Sequence, residues 1–342
     1  MKLGVYNAIL HDRPLPEALK AVAEAGLNGI EINSGGFLPP VHIPNIDEIL
    51  TSDTARDDFL GQFEGTGVQI AGLNCNGNPL HPNAEIGDKH AEDVRRSIKL
   101  AERLGQDRVV TMSGLPGGEP NTKHPNWIVN AWNSAALDVW DYQWDIAVPF
   151  WREMDRLAAD HGVKVALELH PQNLVFTPLD IQKLVEMTGA THVGVELDAS
   201  HLFWQHMDPV KAVRYLGDLV FHSAAKDARV NPNAAYRSVL DNHFRRLSPD
   251  EPRTNLGGDE WANEWPAYGE SAWDFVAVGV GHDVEYWADF LEALYDVDPE
   301  MWVNIEHEDT SMGRIEGLEF ASKTLHEANK ILEQRLAVRA IQ

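Results

Sequence analysis

Short runs rich in valine, isoleucine and leucine recur eight times along the 342-residue chain, and each ends in polar or small residues. The predicted strands lie near 3–7, 28–33, 68–74, 108–113, 163–168, 193–198, 219–224 and 302–306. Between them, apolar residues such as Leu15, Leu19 and Val22 repeat at helical spacing. Strands that alternate with helices form parallel sheets, and eight of them close into a barrel. We therefore predict an α/β fold, a single (β/α)8 TIM-barrel domain over 1–342.

An open, doubly wound sheet is the alternative architecture for such a pattern. That fold usually carries a glycine-rich phosphate loop after its first strand. The first predicted strand runs instead into GVYNAIL, which offers no such loop. The barrel is the favoured prediction.

Two connections are much longer than the usual few residues, at about 113–133 and about 227–281. They follow the fourth and seventh predicted strands, so in a barrel they lie on the catalytic face. Two interpretations of their tryptophans stay open: they stack on a sugar ring or aglycone, or they pack the loops down. The residues concerned are Trp127, Trp132, Trp261, Trp265 and Trp273.

Charge and composition exclude several classes of partner. The formal net charge of -25 opposes approach to a nucleic-acid backbone. No apolar run approaches the roughly 20 residues that span a bilayer. Cys75 is the only cysteine, so no intrachain disulfide forms, and MKLGVYNAIL does not resemble a signal peptide. We expect a cytoplasmic protein with neither nucleic acid nor membrane as a partner.

Acidic residues stand where buried barrel strands end. The fifth predicted strand ends in Glu168, the sixth carries Glu196 and Asp198, and the eighth ends in Glu306. A buried strand tolerates a carboxylate only when a metal, a cation or a proton neutralises it. Side chains alternate along a strand, so Glu168, Asp198 and Glu306 are expected to point into the barrel mouth together.

Converging carboxylates raise one another's pKa unless a cation lies between them. A divalent metal satisfies that requirement, and oxygen-rich ligation favours Mn²⁺, Mg²⁺ or Co²⁺ while leaving catalytic Zn²⁺ open. The alternative interpretation is a buried ion-pair network with Arg or Lys.

Several histidines and a lysine follow the acidic strands. His201 stands three residues after Asp198, so one turn of chain returns it to the site as a ligand or a substrate contact. His222 has the parity to face inward from the seventh strand, and His170 shares the parity of Glu168 and is a candidate base. Lys226 either stabilises an oxyanion or pairs with its neighbour Asp227.

Substrate contacts are predicted from the other strand ends and loops. Glu31 and Asn74 end the second and third strands, where a barrel places substrate-binding residues. The loop histidines His81, His124 and His282 either line the pocket or lie outside it.

The segments ALELHP, ELDASHLFWQHMDPV, FHSAAKD, AVGVGHD and IEHEDTSMGRIEGLE resemble the xylose-isomerase-like sugar isomerase/epimerase barrel family. That family includes C-glycoside deglycosidase large subunits and inosose dehydratase-like relatives. The resemblance runs from the first strand to the last helix. It implies that Glu168, Asp198 and Glu306 bind a divalent metal and that His201 contacts substrate.

The resemblance is incomplete in the seventh strand. Relatives commonly read His-x-His-x-Lys-Asp there, and their second histidine, the usual ligand, is Ala224 in this chain. We predict His222 as the fourth ligand; a water ligand and a lost metal are the alternatives. Relatives also often carry an Arg before the glycines of AVGVGHD, where this chain reads FVAVG, which points to a different substrate.

The prediction for function is a metal-dependent isomerase or epimerase of a keto-sugar or sugar derivative, with Mn²⁺ as the first choice of metal. It works by proton abstraction α to a carbonyl through a metal-stabilised enediolate. Glu168, Glu306, His170, His201 and Lys226 are the candidate catalytic residues. A lyase that cleaves a 3-keto-glycoside by β-elimination is the second prediction, and a non-catalytic sugar-binding barrel the third. The expected assembly is a homo-oligomer, or a hetero-oligomer with a small second subunit.

Overall fold

Eight parallel strands form a closed barrel in the computed structural model, which describes residues 1–341. Around the barrel the strands follow the order β1, β12, β7, β6, β5, β4, β3, β2. In chain order the strands are β1 (Lys2–Tyr6), β2 (Gly29–Asn33), β3 (Gln69–Asn74), β4 (Arg108–Met112), β5 (Lys164–Glu168), β6 (Val193–Asp198), β7 (Val220–Ala225), β8 (Asp227–Val230), β9 (Asn255–Gly257), β10 (Glu260–Trp261), β11 (Trp273–Val276) and β12 (Trp302–Ile305).

Helices connect the strands and pack around the outside of the barrel. They are α1 (Leu15–Glu24), α2 (Ile46–Thr51), α3 (Asp53–Gly61), α4 (Ala84–Arg103), α5 (Ser134–Asp160), α6 (Pro178–Thr188), α7 (Ala199–Trp204), α8 (Pro209–Leu216), α9 (Ala234–Arg237), α10 (Val284–Val297) and α11 (Arg314–Arg339), with 3-10 turns at Asn7–Leu10 and Gly217–Leu219. The (β/α)8 prediction is confirmed, and the open sheet is wrong because β1 pairs with β12.

The alternation predicted for the strands separates two apolar regions. Leu167, Leu197 and Ile305 belong to the large core between the barrel and the helices. Ala166 and Val110 instead form a small cluster with Phe221. The opposite side of the sheet is therefore free to carry Glu168 and Asp198, whose parity matches Ala166.

The two long connections differ in structure. Within the described chain, 113–133 contains neither helix nor strand and links β4 to α5. The longer connection builds two small sheets of its own, in which β8 pairs antiparallel with β11 and β9 with β10. Glu260 of β10 contacts His124 of the first loop at 3.3 Å and His81 at 3.2 Å. The two connections therefore touch each other.

Across residues 1–341 there is no helix that combines the length and the apolar character needed to cross a bilayer.

Gly29 at the start of β2 packs closely against Trp302 at the start of β12. A Cβ atom on Gly29 would overlap the indole ring of Trp302. Only glycine leaves room for this indole ring, because a methyl group at position 29 would force either the ring or the strand to move.

We predict that Gly29→Ala lowers the free energy of unfolding by about 1–3 kcal/mol, the usual cost of overpacking a core. Urea denaturation followed by tryptophan fluorescence measures the change. The matched control is Gly61→Ala, at the end of α3, where an added Cβ meets no atom within 4 Å. Equal urea midpoints for the two variants would contradict the packing argument.

Candidate active site

Charged side chains from four neighbouring strands meet at one end of the barrel. Glu168 and Asp198 are the last residues of β5 and β6, Lys226 follows β7, and Glu306 follows β12. Because the strands are parallel, their C-terminal ends share one rim. Glu168, Asp198 and Lys226 are no more than 3% exposed. These charges therefore interact largely shielded from water.

His201 joins the first two carboxylates. Its Nε2 lies 3.3 Å from Oε1 of Glu168 and 3.3 Å from Oδ2 of Asp198. Asp198 caps α7 by accepting a hydrogen bond from the backbone of Ser200 at 2.7 Å, and this turn carries His201 back over the strand end. The predicted Asp-x-x-His turn is thus formed.

Burial determines the charge state of the two histidines nearest the carboxylates. It lowers the pKa of His201 to about 4 and that of His170 to about 4, so both imidazoles are neutral at pH 7. Nδ1 of His170 donates to the carbonyl of Pro171 at 2.6 Å. The Nε2 atom of His170 therefore carries a free lone pair.

Lys226 is the buried cation of the rim. Its Nζ lies 2.6 Å from Glu308, 3.3 Å from Glu306 and 3.8 Å from Asp198, and it lies over the ring of Phe275. Burial alone would lower the pKa of Lys226, but the surrounding carboxylates raise it well above its ordinary value. The ammonium is therefore permanently charged, and for Glu306 the ion-pair alternative is observed.

The carboxylates respond to burial in the opposite direction. Burial raises the pKa of Glu306 well above its ordinary value, against the opposing effect of Lys226. Burial also raises the pKa of Asp198. One lysine does not compensate all of the acidic groups collected here, which leaves a site that favours additional positive charge.

The donor set at Glu168 and Asp198 fits a divalent metal. Within 1–341, Oδ2 of Asp198 and both ring nitrogens of His201 have no hydrogen-bond partner although they are buried. Donor atoms of Glu168, His170 and His201 lie within 4.8 Å of one another. Neutral imidazole and carboxylate are the ligands that Mn²⁺ and Zn²⁺ share. The residues present are therefore able to hold such an ion.

His222, predicted as the fourth ligand, lies one layer deeper in the barrel. Opposite Asp198, β7 presents Ala224, and His222 pairs in register with Glu196. Its Nε2 lies 2.8 Å from Oε2 of Glu31. The structure therefore groups His222 with Glu31 and Glu196, away from the other three predicted ligands.

The predicted substrate contacts are also distributed over different places. Asn74 donates to Oε1 of Glu31 at 2.8 Å, so both belong to the deeper layer. His282 stacks on Phe203 and contacts Asp227 at 2.7 Å through Nδ1. The loop histidines His81 and His124 both contact Glu260 and do not contact the carboxylates of the barrel rim.

Sequence reasoning missed Asn76. Its Nδ2 donates to Oε2 of Glu168 at 2.6 Å and leaves the other oxygen facing His201. Asn76 stands two residues beyond Asn74, so extending the strand parity past the end of β3 would have found it.

An aromatic cleft opens directly above His170 and His201. Its volume is about 370 Å³, and the two long connections supply most of its walls, including Trp127, Trp265 and Phe275. Of the two interpretations of the loop tryptophans, packing is observed for Trp273, and stacking on a substrate stays a prediction for Trp265. Trp273 stacks on Trp204 and is buried, whereas Trp265 is 42% exposed and faces the cleft.

Comparisons with known proteins agree with this fold. The family described as xylose isomerase-like TIM barrel matches residues 19–331. The uncharacterized protein YfiH of Bacillus subtilis (strain 168) is 34% identical over 329 residues, which cover 95% of this chain and 98% of that protein.

Solved structures share the fold at low sequence identity. The probable 3-DHS dehydratase AsbF of Bacillus anthracis, involved in petrobactin synthesis, has a TM-score of 0.61 at 16% identity and covers 95% of this chain and 99% of its own. A xylose isomerase-like TIM barrel protein of Mycobacterium smegmatis, in complex with magnesium, has a TM-score of 0.61 at 16% identity, with 96% and 97% covered. Other similar structures include sugar epimerases.

Asp227 fixes the loop that carries His282. Its Oδ2 accepts backbone N–H groups of Gly279, Gly281 and His282 at 3.0 to 3.1 Å. We predict that Asp227→Asn lowers the free energy of unfolding by roughly 2–3 kcal/mol, because three half-buried N–H groups lose a charged acceptor. Urea denaturation measures this, with the exposed Asp218→Asn as the matched control; equal midpoints would show that the loop does not depend on Asp227.

Proposed function

Because the chain belongs to the xylose isomerase-like TIM barrel family, we propose that it is a divalent-metal-dependent isomerase or epimerase of a keto-sugar or sugar derivative. The observation that carries the proposal is the buried meeting of Glu168, Asp198 and His201 at the barrel rim. Perturbed acids and bases below an open cleft are typical of proton-transfer sites.

Glu168, Asp198 and His201 would hold the metal, since Nε2 of His201 lies 3.3 Å from an oxygen of each carboxylate. His170 is a further donor, grouped with Glu168 and His201. When bound, the ion supplies a Lewis acid for the substrate carbonyl and increases the acidity of the adjacent C–H. Mn²⁺ is the first choice, and Mg²⁺, Co²⁺ and Zn²⁺ are alternatives with the same ligand types. The magnesium complex of the Mycobacterium smegmatis protein supports a divalent ion in this fold.

The remaining residues divide the proton chemistry. Burial raises the pKa of Glu306, a direction that suits a carboxyl group that both accepts and returns a proton. His170 is neutral, with Nε2 free to take a proton. Lys226 stays charged and stabilises negative charge that develops on a neighbouring oxygen. Removal and return of the proton at different positions or faces give isomerisation or epimerisation.

The aromatic cleft favours a second candidate, a lyase acting on a 3-keto-glycoside. A base removes the proton next to the carbonyl, its electron pair forms a carbon–carbon double bond, and the bond to the β-substituent breaks. The leaving group keeps that bond's electron pair and takes up a proton. Trp127, Trp265 and Phe275 would accommodate an apolar aglycone beside His170. A small second subunit remains part of this proposal.

In the wild type, we expect a chelator to remove the rim metal from the folded protein. We predict that Glu168→Gln lacks this metal and no longer exchanges the α-proton of a keto-sugar with solvent, because an uncharged amide replaces a metal ligand. Elemental analysis before and after chelation, and proton NMR of keto-sugars in D₂O, measure the two effects.

The matched control is Glu153→Gln, whose carboxylate pairs with Arg95 on the helical exterior and should leave metal and exchange unchanged. A Glu168→Gln protein with full metal content and full exchange would rule out this site. No chelatable metal in the wild type, and none taken up with Mn²⁺, would favour the non-catalytic sugar-binding barrel.

The lyase candidate makes a separate prediction for the cleft. Trp265→Ala should raise KM for an aryl 3-keto-glucoside about tenfold with little change in kcat, because stacking on the aglycone is lost. Steady-state release of the aryl group measures both constants.

Trp132→Ala is the matched control, since Trp132 is 86% exposed and does not line the cleft. Unchanged kinetics of Trp265→Ala toward the aryl compound, or equal losses toward a free keto-sugar, would contradict an aglycone subsite.

A further inference from the structure

A polar layer lies inside the barrel, below the rim and on the opposite side from the cleft. It consists of Glu31 from β2, Glu196 from β6, His222 from β7 and Asn304 from β12, and each is at most 1% exposed. We call these four residues the core cluster. Glu196 and His222 stand two positions before Asp198 and Ala224 on the same strands, so the core cluster is distinct from the rim donors.

Three atoms of the core cluster form a triangle whose three contacts cannot all be hydrogen bonds at once. Oε2 of Glu31 lies 2.8 Å from Nε2 of His222 and 2.6 Å from the amide of Asn304, and that amide lies 2.9 Å from Nε2 of His222. If Nε2 carries a proton for Glu31, it cannot accept from Asn304. If Nε2 accepts from Asn304, it faces the lone pairs of Glu31.

A cation removes this conflict. The side-chain amide of Asn304 is assigned by its contacts, and rotating it by half a turn brings its oxygen to the triangle. Two oxygens and one nitrogen would then stand at separations close to the roughly 3 Å between neighbouring ligands of an ion with bonds of about 2.1 Å.

Glu196 supplies a second, independent observation. Neither of its carboxylate oxygens has a hydrogen-bond partner within residues 1–341, although the side chain is fully buried. Donor atoms of Glu31, Glu196 and His222 lie within 4.8 Å of one another. A buried, unpartnered carboxylate is costly unless a counter-charge or a proton neutralises it.

The backbone makes room for the core cluster. A Cβ atom on Gly4 of β1 would overlap Oδ1 of Asn304. Asn74 holds the remaining oxygen of Glu31 at 2.8 Å, so Glu31 is fixed with Oε2 toward His222.

We propose that the core cluster binds a structural divalent metal ion of its own, with Glu31, Glu196 and His222 as ligands and Asn304 as the fourth donor. Two carboxylates, an imidazole and an amide oxygen suit Mn²⁺ or Zn²⁺. The ion would connect four strands of the barrel across its axis. Burial raises the pKa of Glu196 well above its ordinary value, so a protonated Glu196 without metal is the competing arrangement.

The Glu168→Gln background separates this site from the rim. The variant is first unfolded in denaturant with chelator, which removes all bound metal, and is then refolded with Mn²⁺ or Zn²⁺ and desalted. The folded protein is treated with chelator again, and its remaining metal content is measured. The expected result is about one equivalent per chain retained, because buried ligands exchange metal only on unfolding. The double variant Glu168→Gln/Glu196→Gln should lose that metal, whereas Glu168→Gln/Glu153→Gln should keep it.

Two further readouts guard against a variant that misfolds. Loading the Glu168→Gln protein with Co²⁺ should give a visible absorption band that shifts when His222→Gln removes the nitrogen ligand. Asn304→Asp should increase the difference in thermal midpoint between the metal-loaded and the metal-free protein, compared with the same difference in the parent. The reason is that the added buried carboxylate requires the cation.

Absence of retained metal in Glu168→Gln, or the same retained metal after Glu196→Gln is added, would overturn the proposal in favour of a protonated Glu196. If the wild-type protein retains the core metal but has no metal that chelator removes, the core site is supported and the proposed catalytic metal is contradicted.

Discussion

Closing eight parallel strands into a barrel brings every C-terminal strand end to one rim, and the buried charges there must compensate one another. Asp198 lies close to a neutral imidazole, His201 at 3.3 Å, and to one cation, Lys226 at 3.8 Å. Each carboxylate beyond what Lys226 neutralises makes the rim more favourable for a divalent ion. The chemistry of the site thus follows from a requirement of the fold.

Lys226 divides the rim into two regions. On one side its ammonium holds Glu306 and Glu308. On the other side, beside Glu168, Asp198 and His201 keep unpartnered donor atoms within the described chain. If the proposed metal is bound there, the fixed charge of Lys226 beside it would give a substrate two cationic contacts at once. Under the proposed function, such a pair would hold a carbonyl oxygen and an adjacent hydroxyl oxygen while the proton on the hydroxyl-bearing carbon is exchanged.

The strands and the inward parity of Glu168 and Asp198 were predictable, since period-two alternation and strand ends are local properties of the sequence. The position of His222 was not. A register shift between β6 and β7 at Val195 and Glu196 sets which residues stand opposite one another, and only the pairing of the strands reveals it. The sheets inside the long connection were missed for a similar reason, because β8 pairs with β11 more than 40 residues later.

The contact of Glu260 with His124 joins the two long connections, and its contact with His81 adds the loop between β3 and α4. Opening of either long connection therefore breaks the contact between Glu260 and His124. The cleft walls that these two connections supply are thereby coupled to each other. Changes of specificity in this barrel are accordingly expected to require paired substitutions, one in each connection.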